Sequence, residues 1–94
     1  DSTQVPDSIG RSPGVECHLR GMRVEDAIPS LERFLEKAYT AGLPYVRIVH
    51  GKGTGTIRQV VREYLDRSEY VDHWETALRT EGGEGVTVAF LSGA

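Results

Sequence analysis

The chain has 94 residues and is short of several things, and each shortage excludes something. Cys17 is its only cysteine, so no disulfide can form within it, and a reducing cytoplasm is the expected setting. No apolar run approaches the ~18 residues a membrane helix requires, and no basic-then-apolar leader opens the sequence, so no membrane partner is expected. Positive charge is also scarce: the net charge of −3 argues against coating nucleic acid through bulk charge. Cys17, His18, His50 and His73 lack zinc-finger spacing, which disfavours a structural zinc. Walker A and Gly-x-Gly-x-x-Gly patterns are both missing, which disfavours nucleotide-cofactor binding by this domain.

What is present reads as one small domain behind an arm. Residues 1–14 are rich in Ser, Pro and Gly and read as a flexible linker, suggesting a module of a longer protein. Residues 15–94 hold the domain. Val15–Leu19 reads as a strand, with a turn at Arg20-Gly21. A helix follows over about Val24–Ala41, whose Ala27, Ile28, Leu31, Phe34, Leu35, Ala38 and Tyr39 fall near one face. Gly42 and Pro44 end it. Pro29 should kink its first turns or move its start later. A second strand spans 45–49 and a second helix about 55–67. A third strand covers about 70–77, where alternation sends Val71, His73 and Glu75 one way and Tyr70, Asp72 and Trp74 the other. Glu81–Gly85 turns the chain into a last strand, 86–91. The order βαβαββ predicts a two-layer α/β sandwich with a mixed four-stranded sheet, the first two strands parallel and the last two antiparallel.

His50-Gly51-Lys52-Gly53-Thr54-Gly55 joins the second strand to the second helix. Backbone N–H groups and a positive helix end converge there, which suits a phosphate. His50 titrates near neutral pH and can take or give a proton; the plainer alternative is that it bonds the loop backbone. Lys52 can neutralise phosphate charge, or simply be solvated. Gly51, Gly53 and Gly55 allow close backbone approach. Arg20 and Arg23 follow the first strand and are candidate phosphate contacts. Between Arg47 and Arg62 there are four basic residues and no acidic one. Arg58 and Arg62 share a helix face, either to track a backbone or as ordinary solvated surface. Trp74 and Tyr70 can stack on bases, although Trp74 suits packing against the helices. Cys17 should point into the core.

Three segments together resemble the Smr (small MutS-related) family across about residues 15–91. His18-Leu19-Arg20-Gly21 is similar to the family's Asp-Leu-(Arg/His)-Gly, and the 50–55 loop to its His-Gly-x-Gly, in the fuller form found in a bacterial MutS paralogue. Gly82-Gly83-Glu84-Gly85-Val86-Thr87 is similar to its Gly-Gly-x-Gly-x-Thr. The resemblance implies a fold like the C-terminal domain of translation initiation factor three. It also implies nucleic-acid binding and endonuclease activity, either DNA nicking in recombination control or repair or RNA cleavage on stalled ribosomes. The implied partners are branched or double-stranded DNA, RNA and the ribosome, and a parent ATPase; the isolated domain is expected to be a monomer. The resemblance also hints that the turn carrying Gly83 and Gly85 approaches the substrate.

In this chain His18 stands where the family has its acidic residue. Glu16, two residues earlier on the same strand face, is the nearest carboxylate. No cofactor is required by the sequence, and Mg²⁺ or Mn²⁺ is left open with Glu16 as the one candidate ligand. Two readings stay open. In the first, His50 is the acid/base, paired with His18 across a shared phosphate, with Lys52, Thr54 and the loop amides on the phosphate. In the second, His18 marks lost catalysis and the domain only docks its parent.

Overall fold

The computed structural model describes residues 16–93, so the 1–14 arm and Val15 lie outside the described residues. Strand β1 spans Glu16–His18, helix α1 Val24–Thr40, β2 Tyr45–Val49, α2 Thr56–Arg67, β3 Val71–Thr76 and β4 Val86–Leu91. The sheet order is β1-β2-β4-β3. β1 runs parallel to β2, while β4 is antiparallel to both β2 and β3. This is the mixed four-stranded sheet with two helices that the element order predicts.

The helical spacing builds the core. Ala27, Leu31, Leu35 and Ala38 of α1 and Val61 and Leu65 of α2 pack on Cys17, Val46, Ile48, Ala89 and Leu91, all on one sheet face. Burial pushes the Cys17 thiol up to about 11. Helix α1 ends in a Schellman motif, the Gly42 N–H donating to the Tyr39 carbonyl and the Leu43 N–H to that of Ala38. It starts at Val24, as the spacing predicts, and continues through Pro29, which does not move the start later. Pro29 and Glu25 are both exposed, so water can reach the Glu25 carbonyl that lacks a partner amide.

β3 corrects the alternation. A bulge between Val71 and His73 leaves Val71 opposite Leu91 and Trp74 opposite Ala89, so both face the helices. The other sheet face has no helix over it. It carries Glu16, His18, Arg47, His73 and Phe90, with Arg47 donating to the Glu81 side chain at 3.0 Å and to its carbonyl at 2.8 Å. Two 3₁₀ turns, Arg79–Glu81 and Gly83–Gly85, replace a tight hairpin between β3 and β4.

Candidate nucleic-acid interface

The loop after β2 is fastened to the turn before β4. The His50 and Gly51 amides both donate to the Gly85 carbonyl, at 3.1 and 2.9 Å. These bonds bring two separate glycine segments into one structure at the ends of the central strands. They also spend the Gly51 amide, so that amide is not free for phosphate. The amides of Lys52, Gly53 and Thr54 make no hydrogen bond among the described residues. The Arg20 side chain lies over Gly51, where a Cβ would come within 3.1 Å of Arg20 Cγ. With a φ of +81°, Gly51 lies in the left-handed region that favours glycine.

Two clefts flank this loop. One, of about 330 Å³, lies between the starts of α1 and α2 and is lined by residues 21–24 and 50–57. The second, of about 400 Å³, runs between Arg20, Lys52 and Gly53 on one side and Gly82 and Gly85 on the other. Lys52 borders both and is exposed, as are Arg20, Arg23 and Thr54. The N-cap residues Arg23 and Gly55 make no side-chain cap bond, although the Thr56 amide donates to Thr54 Oγ1 at 3.4 Å, and α2 has no acid in its first turn. Both helix starts line the first cleft; the positive end of α2 is uncompensated by any first-turn acid, whereas Glu25 and Asp26 offset that of α1.

His50 is only 4% exposed, in the wall of that cleft. Its Nδ1 lies 2.9 Å from the Gly51 carbonyl and its Nε2 2.8 Å from Thr87 Oγ1. A carbonyl only accepts, so Nδ1 carries a hydrogen, and in the neutral ring Nε2 is then the acceptor. Burial holds the imidazole below its ordinary range, against an upward pull from its hydrogen bond to the Gly51 carbonyl; Arg62 and Arg58 add lesser downward pushes and Glu84 a lesser upward one. His50 is thus neutral at physiological pH, with both ring nitrogens engaged.

The other candidates divide. His18 is exposed on the helix-free face, 3.2 Å from Glu16 Oε1, and lines neither cleft. His50 instead turns toward Thr87, on the helix-covered side, so the expected pairing of the two histidines on one phosphate does not form. Arg58 does not project as a free cation, because Glu84 of the glycine turn holds its Nη1 at 2.9 Å. Arg62 does not track the surface either. Its Nε donates to Thr87 Oγ1 and its Nη2 to Thr76 Oγ1, both at 3.0 Å, and its guanidinium stacks 4.6 Å from the Trp74 ring centre. Trp74 donates its indole N–H to Asp66 at 2.8 Å and packs on the core. Tyr70 lies against Tyr39, with ring centres 4.9 Å apart.

Sequence reasoning missed the contact of Thr87 with His50, although Thr87 closes the third glycine segment. It also missed the inward turn of Arg62, whose signal was its place beside the buried Val61 and one turn before Leu65. Among the described residues no three His, Cys, Asp or Glu side chains gather to hold a metal ion. Glu16 faces Arg47 at 3.4 Å and His18 at 3.2 Å, so it does not fit the role of a free metal ligand.

A family model for the Smr domain matches residues 17–92. The chain belongs to the Smr family. This Smr domain is 51% identical over 88 residues to Endonuclease MutS2 of Thermomicrobium roseum, covering 92% of the chain but 11% of that protein. It is also similar to the crystal structure of the Smr domain of Thermus thermophilus MutS2, with TM-score 0.79 and 45% identity over 81% of this chain and 95% of that one. A third relative is YdaL, a stand-alone small MutS-related protein from Escherichia coli, with TM-score 0.80 and 28% identity over 85% of this chain and 66% of that one.

Proposed function

We propose that this Smr domain holds the sugar–phosphate backbone of a nucleic acid against the Gly51–Gly55 loop and cleaves a phosphodiester bond there. The observation that carries the reading is the loop itself: exposed Lys52 and Arg20 flank open amides, with a neutral histidine in the wall beside them. Lys52 neutralises the phosphate and offsets the charge that builds on it as the P–O bond breaks. Arg20 fixes the register of the backbone. His50, neutral and with Nε2 accepting, takes a proton from the attacking oxygen once its ring releases Thr87. The names of the MutS2 relatives support the nuclease class. In the longer protein the module would deliver this activity for a parent ATPase. Nicking DNA would place it in recombination control or repair, and cutting RNA in the rescue of stalled ribosomes.

A second reading has its own observation. Both His50 nitrogens are already bonded, and His18 stands where the family has an acid. A domain so arranged binds without cutting and only targets its parent. One experiment separates the two. Wild type and His50→Ala are incubated with end-labelled RNA, single-stranded DNA and supercoiled plasmid, each with Mn²⁺ or with EDTA. Product that vanishes in His50→Ala supports the nuclease and names its substrate and metal requirement. Binding without product from every substrate supports the docking module.

A further inference from the structure

The hydrogen bonds around His50 have a fixed direction. A guanidinium only donates, so Arg62 must give its Nε hydrogen to Thr87 Oγ1. The Gly51 carbonyl only accepts, so His50 Nδ1 must carry a hydrogen. The Thr87 hydroxyl has a single hydrogen, and with Arg62 occupying one side of its oxygen, that hydrogen is aimed at His50 Nε2, 2.8 Å away. Thr87 is fully buried, so water does not compete for it. Arg62 is itself held in place by Thr76 and by the Trp74 ring.

We propose that Arg62 is a positioning residue of this site: acting through the Thr87 hydroxyl, it holds His50 as the Nδ1–H tautomer and thereby anchors the Gly51 carbonyl and the course of the Lys52–Gly53 loop. This deepens the phosphate-site reading of that loop and rests on it. The charged groups facing His50 are Arg62 and Arg58 of α2 and Glu84 of the glycine turn. Glu84 pairs with Arg58, which leaves Arg62 as the cation without a carboxylate partner in this group. Were Nε2 to gain a proton, Thr87 Oγ1 would face two donors and its own hydrogen would need a new acceptor. In the ligand-free domain, while Thr87 is bonded to Nε2, Arg62 thus keeps the ring neutral by direction as well as by charge. Lysine has no planar fork and cannot serve Thr87 and Thr76 in the same way.

The test reads His50 directly, by long-range ¹H–¹⁵N imidazole spectra of the ¹⁵N-labelled, ligand-free domain titrated through the neutral range. The wild type should show a protonated Nδ1 and an acceptor Nε2. In Arg62→Met, the His50 titration should shift upward, the ring binding its proton more tightly than in wild type. Arg62→Lys should keep the weak proton binding but broaden the Nε2 signal as Thr87 begins to rotate. Thr87→Ser should behave as wild type and Thr87→Val should not. Each variant is first checked for cooperative unfolding; Thr87→Ser and Arg62→Lys keep the test decisive if the others do not fold. A wild-type ring protonated at Nε2 overturns the proposal. So does an unchanged His50 titration and tautomer in folded Arg62→Met and Thr87→Val. No nucleic acid enters the measurement, so a failed cleavage assay leaves this result standing on its own.

Discussion

Two glycines three positions apart, Gly82 and Gly85, should respond very differently to the same added methyl group. Gly82 has a φ of +112°, and a Cβ there would run into the Val86 side chain. Gly82→Ala is expected to cost about 1–3 kcal/mol in a urea unfolding curve. A Cβ on Gly85 would meet the Gly51 backbone and Lys52 Cγ at an ordinary 3.6 Å. Gly85→Ala should therefore keep nearly full stability, even though Gly85 is buried. Lys52 acts by charge. Lys52→Gln is expected to weaken binding of all sequences alike and to reduce the slope of log affinity against log salt by about one, measured by fluorescence anisotropy at several salt concentrations. His18 lies off both clefts, so His18→Ala should leave any cleavage rate close to wild type, and a large loss would return that residue to the site.

At the scale of elements, Pro29 is the plainest misfit. It lies inside α1, exposed, and denies the Glu25 carbonyl its helical partner. Pro29→Ala should stabilise the domain by about 1–3 kcal/mol, read from denaturant unfolding, since no packing is lost. The chain order of strands and helices, the parallel β1–β2 pair and the antiparallel β3–β4 pair were legible because apolar spacing and turn residues agree at every junction, from Gly42 after α1 to the glycine loop before α2; the place of β4 between β2 and β3 was not. The β3 bulge was not, because one extra residue shifts the alternation without changing the composition. The loop's place at the strand ends was legible from the strand–glycine–helix order alone. The partners of Arg58 and Arg62 were not, because they lie on segments 14 to 26 residues away and depend on how α2 rests on the sheet. The separation of His18 from His50 was not legible for a related reason: neighbouring strand ends need not turn their side chains to the same face.

For the whole molecule, two buried groups bound the pH range of greatest stability. His50 disfavours its proton in the fold, so its contribution is full above the ordinary value of 6.5 and is lost as pH falls through the lower folded value. Cys17 disfavours its thiolate, so its contribution is full below 9.0 and is lost as pH rises toward about 11. Unfolding free energy should therefore hold a plateau between these limits and decline on both sides. Cys17→Ala should lessen the alkaline decline, leaving the part set by the raised Tyr64 and Tyr70, and His50→Gln should lessen the acid one, each followed by urea unfolding across pH. The single tryptophan adds a consequence of another kind. Trp74 touches Arg62, Arg62 touches Thr87, and Thr87 touches His50. The domain thus carries its own fluorophore, wired to the site at the other end of the chain of contacts. Its emission can be followed without labels or dyes, as an optical gauge of what happens at the loop.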